Sequence, residues 1–122
     1  MPATVLVIDN EPDQVDIMSQ ILAKLGHKVV TAVSGTDALA VLEANRVDIV
    51  FLDLIMPDMD GTELCERIKM INPRAVVFAF SGHVSLYDPD KLKKVGFAGT
   101  ISKPIDIGQI GRAIEDVVGN RR

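Results

Sequence analysis

The stretch Ile49-Val50-Phe51-Leu52-Asp53 decides the fold, because a continuous apolar run ends there in an acid. The same pattern occurs near the start of the chain, where Thr4-Val5-Leu6-Val7-Ile8 is followed by Asp9. Short, continuously apolar runs are typical of strands that are buried on both faces of a parallel sheet. Two later runs also end in polar residues, at Ser81 and Lys103. If all four are parallel strands of one sheet, two carboxylates, a hydroxyl and an ammonium meet at one edge.

Apolar residues recur at helical spacing between the strand-like runs, which predicts a helix after each strand. Pro12 and Gly26 stand where a helix would start and stop, and Asn10 is the expected N-cap of this first helix. Either Ser34 or Thr36 would cap the second helix. The five predicted strands cover residues 3–8, 28–33, 47–52, 75–80 and 99–102.

This alternation of five strands and five helices predicts an α/β protein with a parallel sheet and helices on both faces. The second strand is more polar than the first and the third, so we expect it at an edge of the sheet. The expected architecture is a flavodoxin-like, three-layer, doubly wound (βα)5 fold with strand order 2-1-3-4-5. In that order, Asp9 and Asp53 flank the crevice where open α/β sheets bind ligands.

Composition restricts the class of protein. The chain has 122 residues, of which 48% are hydrophobic and 25% charged, which predicts one folded domain over residues 1–122. Its net charge of −4 argues against direct binding to nucleic acid. No apolar run approaches the ~20 residues of a membrane span, and the first residues lack the basic region of a signal peptide. We therefore expect a cytoplasmic protein without membrane insertion, in which the single cysteine, Cys65, is a structural thiol.

Carboxylates, a hydroxyl and an ammonium at one sheet edge suit a divalent cation and a phosphoryl group. Mg²⁺ takes one or two carboxylates and completes its octahedron with waters and phosphate oxygens. An aspartate can also attack phosphorus and form an acyl phosphate, while Lys103 and Ser81 hold the phosphoryl oxygens. We favour Asp53 over Asp9 as the nucleophile because Asp53 ends the middle strand and a turn rich in Gly and Pro follows it. Asp9 is better placed to hold the cation.

Four blocks of the sequence look like the signature blocks of response-regulator receiver domains. They occur in the expected order and spacing, at residues 5–12, 51–57 with Asp60 and Gly61, 81–83 and 103–104. The resemblance implies two-component phosphorelay signalling, in which Asp53 accepts a phosphoryl group from a sensor histidine kinase or a histidine phosphotransfer protein. It implies a switch that acts on a downstream effector protein or domain, and it allows a homodimer. It implies no enzyme activity beyond self-catalysed phosphoryl transfer and autodephosphorylation.

The resemblance also implies a role for each residue of the site. Ser81 and Lys103 would contact the phosphoryl group, and the peptide bond between Lys103 and Pro104 would be cis. Gly82 and His83 follow Ser81 and would flank the site. Ile55 lies two residues beyond Asp53, and His83 lies two residues beyond Ser81. In the family, side chains at these two positions influence hydrolysis of the phosphoryl group. The alternative is that Ile55 and His83 are ordinary loop residues. The implied ligands of Mg²⁺, or of Mn²⁺ in its place, are Asp9, Asn10, Asp53 and the backbone carbonyl of Ile55.

Two positions depart from the family pattern. The family usually has a second acidic residue where this chain has Asn10, so the site loses one negative charge and we expect weaker Mg²⁺ binding. The family often has an aromatic residue at the position of Thr100, whose ring moves inward on phosphorylation. Because Thr100 cannot fill that space, we expect the switch to use other movements, such as those of residues 82–99, whose glycines permit them.

Two alternative functions follow from the same residues. A degenerate pseudo-receiver, acting as a phosphorylation-independent protein-binding module, is suggested by Asn10 and Thr100 and opposed by the intact Asp53, Ser81 and Lys103. The run 58–62 also matches the D-x-D-G-T pattern of haloacid-dehalogenase-type phosphatases. In that family the first acid ends a strand, whereas here Asp53 already does so, which favours a turn and a helix start for this run.

Overall fold

The structure, a computed structural model, describes residues 3–82 and 84–120. Its strands form one parallel sheet in the order β2-β1-β3-β4-β5, which confirms the predicted flavodoxin-like, doubly wound α/β fold. No helix in these residues is long and apolar enough to cross a membrane. The elements are β1 (Thr4–Ile8), α1 (Pro12–Lys24), β2 (Lys28–Ala32), α2 (Gly35–Ala44), β3 (Ile49–Leu52), α3 (Gly61–Ile71), β4 (Val76–Ser81), a 3₁₀ turn (Val84–Leu86), α4 (Pro89–Val95), β5 (Phe97–Ser102) and α5 (Ile107–Asn120).

Strands β1 and β3 end side by side because of their register. Ile8 pairs with Leu52, so Asp9 and Asp53 directly follow paired residues on neighbouring strands. The Asp53 N–H donates to the Ile8 carbonyl at 2.9 Å, and the Asp9 N–H donates to the Ala32 carbonyl at 3.1 Å. Backbone hydrogen bonding therefore continues into both aspartates and fixes where their side chains begin.

Residues of the central strands alternate between two cores, one on each face of the sheet. Val50 and Leu52 of β3 face the core formed with α2, α3 and α4, whereas Ile49 and Phe51 face the core formed with α1 and α5. Phe51 stacks on Phe78, with ring centroids 5.6 Å apart. The two cores explain why these strands read as continuous apolar runs, and they produce the three layers predicted from the sequence.

Cys65 of α3 lies in the core on the α2, α3 and α4 face. Its Sγ donates to the Val95 carbonyl at 3.7 Å. Burial raises the pKa of the thiol to about 12, so the thiolate is disfavoured at neutral pH. These contacts agree with the structural role expected from the sequence.

The start of α1 corrects one prediction. The N-cap is Glu11, whose side chain makes no capping hydrogen bond, and not Asn10. The physical reason is that Asp9 Oδ1 accepts the Glu11 N–H at 3.0 Å, which holds residues 9–11 in a turn and delays the helix to Pro12. Of the two candidates for α2, Ser34 is the N-cap, accepting the Asp37 N–H at 3.1 Å. Gly26 follows α1 with φ +89°, as its predicted stop.

The predicted strand ends differ from the observed ones by up to two residues. The start of β3 is two residues later than predicted, and β5 begins two residues earlier, at Phe97 directly after Gly96, whose φ is +119°. Val77 pairs with Phe97 but Phe78 pairs with Gly99, so the register skips one residue of β5. Gly99 thus lies inside β5, beside a bulge, whereas the sequence analysis placed the first residue of the strand at Gly99.

Gly61 offers a test of packing, because α3 starts against the backbone of Leu54. A Cβ at Gly61 would lie 2.6 Å from the Leu54 Cα and 2.7 Å from its carbonyl oxygen. Because the backbone would have to move, we expect Gly61→Ala to lower the free energy of unfolding by about 1–3 kcal/mol in urea denaturation. Gly111→Ala is the matched control, since nothing lies within 4 Å of its added Cβ. It should raise the free energy of unfolding by about 0.5–1 kcal/mol. Equal stability of Gly61→Ala and the wild type would contradict the close approach.

Candidate functional site

The carboxyl edge of the sheet brings together the polar side chains that follow β1, β3 and β5. Lys103 Nζ lies 2.6 Å from Asp9 Oδ2 and 3.5 Å from Asp53 Oδ2. Both carboxylates are almost inaccessible to solvent, with 2% of Asp9 and 6% of Asp53 exposed. Two negative charges and one positive charge therefore share a site in which water screens them weakly.

Each aspartate uses its two oxygens in the same way. One oxygen is held by the backbone of its own loop: Asp9 Oδ1 accepts the Glu11 N–H at 3.0 Å, and Asp53 Oδ1 accepts the Ile55 N–H at 3.1 Å. The other oxygen, Oδ2, faces the Lys103 ammonium in both cases. The backbone hydrogen bonds thus orient both carboxylates toward one shared space.

Lys103 reaches that space because it directly follows the end of β5 at Ser102. Its N–H donates to the Ser81 carbonyl at 3.3 Å, and the Lys103–Pro104 peptide is cis, as predicted. The ammonium lies 5.5 Å from the centroid of the Phe80 ring. Burial alone lowers the pKa of Lys103, but the hydrogen bond to Asp9 and the negative charges of Asp53 and Asp9 outweigh it and raise the pKa. Lys103 therefore keeps its positive charge at neutral pH.

The other predicted site residues differ in burial and in their contacts. Ser81 ends β4 fully buried and pairs with Ser102 of β5, the residue before Lys103. Asn10 is exposed beside Asp9. Ile55 bonds to Asp53 through its backbone N–H, and 45% of the residue is exposed at the rim.

Thr100 faces a different part of the surface from the two carboxylates. Thr100 is exposed on β5, where it lines a groove of about 540 Å³ between β5 and α5. That groove includes Phe78 and Arg112 but neither Asp53 nor Lys103. Gly82 is exposed at the start of the following turn. His83 lies outside the described residues.

The short motif at residues 58–62 is a turn and helix start, with one feature that the sequence did not show. Asp60 caps α3 by accepting the Thr62 N–H at 2.8 Å. Asp58 instead bonds to Gly35 and Thr36 at the start of α2. These partners lie 22 and 23 residues away, so no local pattern could have identified them.

The donor set suits a hard divalent cation. Among residues 3–82 and 84–120, no three His, Cys, Asp or Glu side chains converge in a way that could hold a metal ion. The available donors are the Asp9 and Asp53 carboxylates, with the Asn10 amide and the Ile55 carbonyl in the adjoining loops. Mg²⁺ needs only one or two carboxylates, because waters and phosphate oxygens complete its shell. These residues therefore fit Mg²⁺, and they lack the nitrogen and sulfur ligands of a zinc site.

Comparisons with known proteins all match this chain to receiver domains or to proteins of two-component systems. The sequence model of the response regulator receiver domain matches residues 5–115. Transcriptional regulatory protein GlrR of Escherichia coli K12 is 33% identical over 117 residues, which are 96% of this chain and 26% of that protein. Sensor histidine kinase RcsC of the same organism is 31% identical over 110 residues, 90% of this chain and 12% of that protein. A response regulator receiver domain protein from Clostridium thermocellum superposes with a TM-score of 0.89 at 29% identity, covering 98% and 96% of the two chains.

Removing the positive charge tests how the site is held together. We expect Lys103→Met to lower the free energy of unfolding at pH 7 by about 2–3 kcal/mol, because two buried carboxylates lose their counter-charge. Adding Asp53→Asn to that variant should recover part of the loss, since it removes one of the two like charges. Lys24→Met, at an exposed position, is the control and should change stability by less than about 0.5 kcal/mol. Urea unfolding of the four proteins measures this, and a Lys103→Met variant as stable as the wild type would contradict it.

Proposed function

This chain belongs to the response-regulator receiver domain family, and from that membership we propose that Asp53 accepts a phosphoryl group from a sensor histidine kinase or a histidine phosphotransfer protein. The family places the chain in two-component phosphorelay signalling. One observation carries the assignment of Asp53. Its buried carboxylate ends the central strand with one oxygen fixed by the backbone and the other 3.5 Å from the Lys103 ammonium.

The geometry favours Asp53 over Asp9 as the nucleophile. Lys103 holds Asp9 Oδ2 at 2.6 Å but Asp53 Oδ2 only at 3.5 Å, so the oxygen of Asp53 is less tightly engaged. Asp9 is also the more buried of the two residues. The carboxylate that is more exposed and more weakly bonded is the better candidate for attack on a phosphoryl donor.

The transfer itself needs little beyond alignment and positive charge. Asp53 Oδ2 forms a bond to phosphorus while the P–N bond of the donor's phosphohistidine breaks, and the imidazole nitrogen keeps the electron pair. The product is an acyl phosphate on Asp53. Lys103 faces both carboxylates, so its ammonium is close enough to contact the new phosphoryl oxygens, and Ser81 at the end of β4 would hold another.

We assign the metal site to the oxygen donors around the two aspartates. A bound Mg²⁺ or Mn²⁺ would supply further positive charge beside the phosphoryl oxygens. Asp9 and Asp53 contribute the two negative charges of the set. The full set is Asp9, Asn10, Asp53 and the backbone carbonyl of Ile55.

Phosphorylation would act as a switch on a downstream effector protein or domain in the cytoplasm. Because Thr100 is exposed and small, we infer that the change spreads from Ser81 through residues 82–99 and not through an aromatic ring at position 100. The chemistry that we propose is limited to self-catalysed phosphoryl transfer and autodephosphorylation. A phosphorylation-independent binding module is the second candidate, favoured by the exposed Asn10 in place of an acid.

Acetyl phosphate separates these two candidates. Incubation with acetyl phosphate and Mg²⁺ should add the mass of one phosphoryl group to the wild-type protein, because Asp53 needs no partner residue from the donor. Intact-mass spectrometry measures the product, and Asp53→Ala should show no added mass. A wild-type protein that stays unmodified at high Mg²⁺ would instead support the phosphorylation-independent module.

The charge at position 10 has a measurable effect on metal binding. We expect Asn10→Asp to bind Mg²⁺ about tenfold more tightly than the wild type, because one more unit charge near a divalent cation is worth about 1–2 kcal/mol at an exposed position. Isothermal titration calorimetry gives both dissociation constants. Gln20→Glu, on the exposed face of α1, changes the net charge equally and should leave the affinity unchanged. Equal affinities of Asn10→Asp and the wild type would refute the effect.

A further inference from the structure

Asp58 links the loop after β3 to the first turn of α2. Asp58 Oδ1 accepts the Gly35 N–H at 3.0 Å, and Oδ2 accepts both the Thr36 N–H at 3.1 Å and the Thr36 hydroxyl at 2.9 Å. The side chain of Ser34, the N-cap of α2, accepts the next amide, that of Asp37. The first turn of α2 is thus capped from two sides, by its own sequence and by a residue from another loop.

Asp58 is ionised under ordinary conditions. The hydrogen bonds from Gly35 and Thr36 lower the pKa of its carboxyl. The negative charge also lies at the positive end of the α2 dipole, which favours it further. The link is therefore present throughout the neutral pH range.

The loop that carries Asp58 is closed at its other end by the functional site. The Ile55 N–H donates to Asp53 Oδ1, and Ile55 forms an antiparallel bridge with Asp60. The Gly61 N–H donates to the Leu54 carbonyl at 3.0 Å. Residues 54–60 are consequently a short closed loop, with Ile55 beside Asp53 at its base and Asp58 near its tip.

The contact between this loop and α2 leaves little free space. A Cβ at Gly35 would lie 3.0 Å from the Met59 Cβ and 3.4 Å from Asp58 Oδ1. The base of the loop is tighter still, since a Cβ at Gly61 would lie 2.6 Å from the Leu54 Cα. The loop is therefore held at both ends, by α2 near Asp58 and by the site at Ile55.

We propose that Asp58 is a positioning residue of the phosphoryl site, which holds the Ile55 backbone carbonyl in place for the divalent cation by tying its loop to α2. This inference rests on the proposed function and deepens it. Asp58 is exposed and hydrogen-bonds to α2 and not to Asp53, so it acts through the loop and not on the reacting atoms. Outer residues that orient the ligands of a metal typically change its affinity by about 10–100-fold when they are removed.

Two variants that each remove one cap of α2 test this role. Asp58→Ala and Ser34→Ala should both lower the melting temperature, because each leaves amides of the first turn without an acceptor. Only Asp58→Ala should raise the dissociation constant of Mg²⁺, by about tenfold. This is the lower end of the range for such residues, because Asp58 lies three residues from Ile55 and acts through the loop. Ser34→Ala should stay within about twofold. Asp58→Asn keeps one acceptor oxygen and should give an intermediate constant.

The effect of Mg²⁺ on amide hydrogen exchange provides a second readout. A change in the stability of α2 alone would not make exchange depend on Mg²⁺. If the link couples the two regions, Mg²⁺ should slow exchange at Gly35 and Thr36 in the wild type, since coupling between sites is reciprocal. This dependence on Mg²⁺ should vanish in Asp58→Ala. The same comparisons in an Asn10→Asp background keep the affinities within a measurable range.

The outcomes distinguish this inference from the proposed function. A wild-type protein that binds Mg²⁺ and is phosphorylated on Asp53, with Asp58→Ala unchanged in affinity, would overturn the positioning role alone. Equal weakening by Ser34→Ala and Asp58→Ala would also overturn it, because the effect would then come from α2 stability. If neither the wild-type protein nor Asn10→Asp binds Mg²⁺ or gains a phosphoryl group, both the positioning role and the proposed function are overturned.

Discussion

The ion pairs of Lys103 with Asp9 and Asp53 are the constraint on which the carboxyl edge of the sheet depends. Parallel strands β1 and β3 end in register, so their two aspartates are forced to be neighbours, and both are almost fully buried. Two buried like charges repel each other unless a cation lies between them. The ammonium that offsets one of these two charges comes from Lys103, directly after β5, at the far edge of the sheet from β2. The site therefore depends on β5, and on β4 between β3 and β5, as well as on the two strands that carry the aspartates.

Much of this arrangement could be predicted from the sequence, because it follows from topology. Continuous apolar runs predict buried parallel strands, and the ends of such strands meet at one edge whatever the details of packing. That is enough to bring Asp9, Asp53 and Lys103 together. It does not decide which carboxylate the ammonium prefers, since the distances of 2.6 and 3.5 Å depend on side-chain conformations that no periodicity encodes.

The features that were missed depend on hydrogen bonds between residues and on local irregularity. Asn10 has the chemistry of an N-cap, but Asp9 takes the Glu11 N–H first and moves the start of α1. Gly99 lies beside a bulge within β5, although the sequence predicted that the strand begins at this residue. The Asp58 link joins residues more than twenty positions apart, and only the packing of α2 beside the β3–α3 loop brings them together.

The two halves of the site are anchored to helices on opposite faces of the sheet. Asp9 is fixed to the start of α1, which packs in the core shared with α5, whereas the loop after Asp53 is fixed to the start of α2, which packs in the other core. Asp9 and Ile55, which would both contribute oxygen donors to the proposed metal site, are thus anchored to different helices. Under the proposed function, a phosphoryl group on Asp53 would add negative charge near Lys103 and would compete with Asp9 for its ammonium. The proposed function therefore implies that the ammonium and the cation would be alternative partners of the buried Asp9 carboxylate, so that phosphorylation and metal binding would favour each other.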